Sequence, residues 1–566
     1  MALLSIWFTI LLFPVYLALR WPFFRLPLHM DTGYYVSNNT ICTGRINFSK
    51  GWNAAYAGCS KVLPEVFYSL IYLLHGGADR YKFYSRFYYS LYGYGVAILV
   101  GYLAYVLASG EIVAYFIGLT VFCLLSSEPH YGVYFESGEQ FELLPQVLGF
   151  LLICLGIQSH EAWTVGAGVG LWVLESYFIK LSCFPAAIVL GLGAGYLFPR
   201  SFPYSIGFSL LATAAYFGWV AHNGRKLNQL LRPIIGHEVH FDHQVSLKAY
   251  VKRLVSKAGF LFLICLSHPI IPALAVVGSL SNGNRIILVI LYLIGASIPL
   301  SFALERLAAL PSRTKKLLVF ACFTLVAVPV IPAFLFGGSL SSDSKTVLLA
   351  LYFTAVSVSY FIQAAQVWYY TIPFLPVIAL LATSGVQALL HVGWPGWATC
   401  IGLLLMWVIM NGWRHYTMNI EQLNRWTWLT HRSMPDRNLA LDQAAPELRS
   451  LIQENSILVY GHYNQAYALV GTSYPVAIIS PNLWLNPMHP GWEEELNQKL
   501  AKDPPRFILD SDQCFDSEAL QDKLGLRYRL LREFPGDFKL FALDGRRTIV
   551  NHDRTGKPSR TSEAHS

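Results

Sequence analysis

The chain has 566 residues, of which 54% are hydrophobic and only 13% charged, whereas a soluble domain carries about a quarter charged residues. Its formal net charge is +8, but the Lys and Arg are scattered through polar connections and form no basic, aromatic-interleaved stripe of the kind that tracks nucleic acid. Composition therefore excludes an ordinary soluble protein and a nucleic-acid partner. It points to a polytopic membrane protein whose positive charge is turned toward membrane lipids.

Apolar stretches approaching or reaching membrane-spanning length recur from the N-terminus to about residue 415, among them Leu3 to Leu19, Tyr94 to Ala108, Phe260 to Leu280 and Leu317 to Phe336. A helix needs about 20 apolar residues to cross the hydrocarbon core, and on that rule, with some short spans accepted, about 13 spans are expected. The first stretch has no Lys or Arg before it and no small-residue cleavage site after it, so it reads as a retained helix and not a signal peptide. A long polar connection follows, about residues 25–64, containing HMDTGYYVSNNT and GCSKVLPEVFY. Its length marks it as functional, and it holds too many aromatic residues for a disordered linker.

Helices are expected over about residues 86–108 and 112–126, then a second polar insert, about residues 127–142, with the next helix starting near Leu143. Shorter helices run to about Ala221, interrupted by Lys180 and by the Pro-bracketed turn FPRSFP, and a polar stretch from His222 to Lys257 precedes a further series ending near Trp413. Residues 1–415 thus form the transmembrane part. Residues 416–545 change character: ILVYGHYNQAYALV, PVAIIS, PPRFILDSD and FKLFALD read as strands, with EEELNQKLAK helical between them, which is the alternation of a small soluble α/β domain. Residues 546–566 are polar and basic and read as a disordered tail.

An odd number of spans puts the N-terminus and the C-terminal domain on opposite sides of the bilayer. The positive-inside rule does not decide which, because Arg20, Arg25, Arg313, Lys315 and Lys316 fall outside in the orientation preferred below. Of the nine cysteines, Cys123, Cys154, Cys183, Cys265, Cys322 and Cys400 sit inside apolar segments and read as packing residues. Cys42 and Cys59 share one polar loop, where a disulfide could close if that loop faces an oxidising compartment.

Acidic residues cluster at helix ends. Asp31 stands just past the first helix, and Glu128, Glu136, Glu139 and Glu142 crowd the second insert. If residues 138–146 begin a helix, Glu139 and Glu142 fall on neighbouring faces one turn apart. The two inserts are separated by two helices, so they return to one side of the membrane and could surround one cavity. A carboxylate so placed is either a solvated interfacial charge or a general base that takes a proton from an attacking hydroxyl. Lys61 and Lys180 pose a matching choice, between snorkelling to the interface and holding a phosphate as point charges. His237, His240 and His243 have helical spacing, but Val239, Phe241 and Val245 alternate as in an extended segment, which favours a solvated loop over a zinc site. Asn38 and Asn47 head N-x-Ser/Thr patterns that matter only where a modifying enzyme is present.

The order of these features resembles the membrane glycosyltransferases of the GT-C superfamily, especially the bacterial relatives of protein mannosyltransferases and of aminoarabinose transferases. The resemblance covers nearly the whole chain and rests on HMDTGYY after the first helix, Lys61 before Pro64 and Tyr68, FESGEQFELLP, Lys180 after a short helix, and VWYYTIPFLPVIALLA. It implies a GT-C helical core, and transfer of a sugar from a polyprenyl-phosphate donor to a glycan, lipid or protein acceptor on the outer side of the cytoplasmic membrane. The C-terminal domain would then be extracytoplasmic. Asp31 would be the general base, with Glu142 and Glu139, and Glu136 behind them, positioning the acceptor or the Asp31 loop. Lys61, Arg225, Lys226 and Lys180 would hold the donor phosphate, and Tyr34, Tyr35, Tyr369 and Tyr370 would line the substrates. No cofactor is called for, with a divalent metal left open. Two departures stand out: Trp368 precedes Tyr369 where relatives commonly have His or Arg, and Asp31 is followed by Thr-Gly where a second acid often comes.

The rival class is a transporter or flippase, which would show two corresponding halves with broken helices and midplane charges. No such duplication is present in the sequence, and the acidic residues lie at helix ends. A scaffold with an exported binding domain would leave Asp31, Lys61 and the acidic insert without a role.

Overall fold

The computed structural model describes residues 2–28, 62–75, 78–127, 138–180, 183–222, 344–362, 372–390, 393–407, 434–461, 463–472, 492–513 and 515–546, with single positions 36, 41 and 474. The helical part opens with α1 (Ala2–Leu19) and the short α2 (Trp21–Arg25), then α3 (Val62–His75), α4 (Ala78–Leu107), α5 (Ile112–Ser126), α6 (Glu139–Gln158), α7 (Ala162–Phe178), α8 (Phe184–Leu197), α9 (Phe202–His222), α10 (Ser344–Ile362), α11 (Leu375–Leu390) and α12 (Trp394–Trp407). α1 carries no charged residue, and one side of it, including Leu3, Leu4, Ile6, Trp7, Ile10 and Leu11, faces outward. An exposed apolar face of that extent marks a contact surface for a lipid or protein partner.

Two stretches, Arg80–Leu107 and Glu139–Gln158, are long and apolar enough to cross a bilayer by length and composition, and Leu3–Leu19, Ile112–Ser126, Phe184–Leu197, Val347–Tyr360 and Ile372–Gln387 are shorter apolar helices. The expected spans Phe260 to Leu280 and Leu317 to Phe336 lie outside the described residues, so the number 13 has no counterpart here. α4 starts at Ala78, eight residues before the expected position 86, because its polar first turns are packed: Tyr81, Ser85 and Arg86 are buried.

α1, α4, α5 and α6 alternate in direction. Tyr94 of α4 donates to the Thr9 carbonyl of α1, and Arg86 near the start of α4 reaches the Leu26 and Pro27 carbonyls that follow α2. α1 and α4 are therefore antiparallel. Arg20, just past α1, donates to the Ser126 carbonyl at the end of α5 (3.4 Å), whereas Gln158 at the end of α6 donates to the Val106 carbonyl at the far end of α4 (3.1 Å). The ends of α1 and α5 and the beginnings of α4 and α6 thus share one end of the bundle. α6 and α7 approach closely where both present glycine: a Cβ on Gly149 would lie 2.8 Å from the Gly168 carbonyl oxygen and 2.6 Å from Trp172 Cδ1. Small residues permit such contact between apolar helices, where side-chain packing is the main attraction.

The C-terminal part comprises α13 (Met434–Ile452), β1 (Ile457–Tyr460), α14 (Gln465–Val470), α15 (Trp492–Lys502), β2 (Phe507–Asp510), α16 (Ser517–Leu524), β3 (Leu526–Phe534) and β4 (Phe538–Arg546). The sheet order is β1-β2-β4-β3, with β1 and β2 parallel and the other pairs antiparallel. The sheet is therefore mixed. ILVYGHYNQAYALV is not one strand: Gly461, at φ +117°, ends β1, and QAYALV is helical, with all six residues buried. A short apolar run buried on every side lacks the alternation that separates strand from helix. This part rests on the bundle end just described, where Lys82 of α4 meets Asp442 of α13 at 2.5 Å.

Candidate active site at the shared end of the bundle

The polar end of the bundle is built from three helix termini. Gly138 and the first turn of α6 bring in Glu139 and Glu142, both fully buried, and the turn after α7 brings in Lys180. Lys180 Nζ meets Glu139 Oε1 at 2.6 Å, with both side chains almost inaccessible to solvent. A buried pair of this kind holds only when geometry is good, since each ion loses its hydration.

One turn deeper, Gln146 Nε2 donates to Glu175 Oε1 at 2.8 Å and lies 3.5 Å from Glu142 Oε2. Cys183, at the start of α8, places its thiol 3.5 Å from Glu142 Oε2, and Ser359 of α10 lies 3.6 Å from the same sulfur. One ligand atom each from Glu142, Glu175 and Cys183 lie within 4.8 Å of one another. Cys183 is therefore more than a packing residue, because its sulfur stands among carboxylates.

Two arginines shape the same end. Arg20 is buried, donates to the Tyr16 hydroxyl at 2.8 Å, and lies over the rings of Tyr16, Phe23 and Tyr89. Arg86 donates to the carbonyls of Phe24 (3.1 Å), Leu26 and Pro27 (2.7 Å). Arg20 therefore acts inside the bundle and is not a loop charge. α3 packs here too, with Phe67 and Tyr68 against Phe141 of α6 at centroid distances of 5.0 and 5.9 Å.

Glu139, Glu142 and Lys180 are thus brought together from separate parts of the chain. Asp31, Tyr34, Tyr35, Lys61, Glu136, Arg225, Lys226, Tyr369 and Tyr370 lie outside the described residues, as do Cys42, Cys59 and the His237 to His243 segment. The described chain reaches Leu28 on the Asp31 side and resumes at Val62 beside Lys61, at the bundle end where α6 begins. Sequence reasoning missed Glu175, Gln146 and Arg86. Glu175 had a signal, being a lone acid in the otherwise apolar GLWVLESYF, and an ionisable residue in such a segment is functional by default.

Fold and site together define a polar-ended helical bundle carrying a small mixed-sheet domain at that end. No family model and no curated protein matches the sequence. Among solved structures the chain is similar to ArnT from Cupriavidus metallidurans, crystallised bound to undecaprenyl phosphate, with a TM-score of 0.53, 11% sequence identity, and 96% of this chain and 97% of that chain covered. The chain shares the fold of that protein over nearly its whole length.

Proposed function

We propose that the protein transfers a sugar from a polyprenyl-phosphate donor to a hydroxyl of an envelope glycan, lipid or protein on the outer side of the cytoplasmic membrane. One observation carries this reading: buried carboxylates and a lysine converge at the bundle end from which both long polar connections depart. The fold likeness to a protein crystallised with undecaprenyl phosphate supports it.

On this reading Asp31 removes the proton of the acceptor hydroxyl as its oxygen attacks the anomeric carbon, and the polyprenyl phosphate leaves with the bonding electron pair. Charge develops on that phosphate, so a preorganised cation contributes most there. Lys180 is already matched by Glu139 at 2.6 Å and presents little net charge. Phosphate binding therefore falls first on Lys61, with Arg225 or Lys226 assisting. The Glu139–Lys180 pair instead fixes the start of α6, where Glu136 and the acidic insert emerge.

The test is reconstitution in lipid nanodiscs with a polyprenyl-phosphate-linked sugar and extracted envelope acceptors. Asp31→Asn is expected to abolish transfer at unchanged abundance, and Lys61→Ala to weaken donor binding more than acceptor binding. Undiminished transfer by Asp31→Asn would remove Asp31 from the role of base.

A further inference from the structure

We propose that Glu142, Glu175 and Cys183 form a divalent-cation site that ties the first turn of α6, the last turn of α7 and the start of α8 together. The three donor atoms lie within 4.8 Å of one another and all three residues are buried. The Glu142 Oε2 to Cys183 Sγ separation is 3.5 Å. A tetrahedral zinc ion with bonds of about 2.0–2.2 Å to oxygen and about 2.3 Å to sulfur holds its oxygen and sulfur ligands about 3.6 Å apart, so little movement is required.

A second observation points to a ligand. Glu175 Oε2 and Gln146 Oε1 are buried acceptor atoms with no hydrogen-bond partner among the described residues. Buried oxygens without donors call for a cation or a proton. One proton satisfies one oxygen of the pair, whereas a divalent ion accepts both carboxylates and the thiolate at once and offsets their mutual repulsion. Gln146 already touches Glu175 through Nε2, and rotating its amide exchanges that nitrogen for an oxygen able to complete the shell. A donor set with one thiolate favours a zinc-like ion over magnesium or calcium.

The site stands apart from sugar transfer but braces it. Glu139 and Glu142 are one turn apart on α6, and Lys180 and Cys183 are one turn apart after α7, so the ion pair and the proposed metal link join the same two turns.

The test uses the full-length protein in detergent, stripped with chelator and titrated with Co²⁺. About one tightly held Co²⁺ per chain is expected, with thiolate-to-cobalt charge-transfer absorption that disappears in Cys183→Ser and an affinity at least about tenfold weaker in Glu175→Gln. Absorption that persists in Cys183→Ser, or wild-type affinity equal to that of Glu175→Gln, would overturn the proposal. Should either variant fail to fold, the stripped wild type decides: its melting temperature should rise with Zn²⁺ and not with Mg²⁺, and the absence of a Zn²⁺ effect rules the site out.

Discussion

Glu139 and Lys180 lie 41 positions apart in sequence and meet at 2.6 Å, joining the start of α6 to the end of α7 in surroundings closed to solvent. Removing one partner strands the other charge. Lys180→Met and Glu139→Gln alone are expected to cost about 3–5 kcal/mol each, while the double variant recovers much of the loss. Thermal unfolding of the four proteins in one detergent measures the coupling, and strictly additive losses would show that the pair does not act as a unit.

Arg86 holds the segment leading toward Asp31 by donating to three carbonyls, those of Phe24, Leu26 and Pro27. A lysine keeps the charge but cannot span that set with a planar fork. Arg86→Lys is expected to lose about 1.5–3 kcal/mol of local hydrogen bonding and, with expression intact, to lower transfer by about tenfold or more. Wild-type turnover in this variant would show that the segment needs no such anchor.

Gly149 sits where α6 touches α7, with the Gly168 carbonyl 2.8 Å from the position of a Cβ. Gly149→Leu should destabilise the protein by about 1–3 kcal/mol through overpacking. It should also separate Glu142 from Glu175, because the two helices carrying them must move apart. Differential scanning fluorimetry reads the first effect. A melting temperature equal to the wild type would mean that the contact is not tight.

Arg437 fastens α13 to the sheet: its guanidinium donates to the carbonyls of Gly536 and Ser511, pairs with Asp512 at 3.2 Å, and lies over Tyr463 and Phe538 at 4.7 and 5.1 Å. Arg437→Ala is expected to cost about 2–4 kcal/mol, summing hydrogen bonds to a charged group and ring contacts. The loss should appear as faster proteolysis within residues 434–546 of the full-length protein, with the helical bundle resistant. Unchanged proteolysis would assign the hold on α13 to its apolar contacts alone.

Several local features were legible because they are properties of short segments. The uncharged run of α1, the boundaries of α5 at Ile112 and Ser126, and the strands Phe507–Asp510 and Phe538–Arg546 follow from hydrophobic pattern and from Gly and Pro punctuation. QAYALV misled for the complementary reason, since burial on all sides erases the periodicity that tells helix from strand. The polar opening of α4 fell outside the expected helix because tertiary neighbours, Phe24 to Pro27 among them, are what bury Arg86.

Composition alone determined that this chain is dominated by long apolar segments, and spacing alone put Glu139 and Glu142 on one helical turn. Only the folded chain decided that Lys180 neutralises Glu139, that Glu175 and Cys183 stand beside Glu142, and that Arg20 is an internal brace. Periodicity is written along the chain within a few residues, whereas the partner of a buried charge is chosen by which helices pack side by side, and that choice involves residues far apart in sequence.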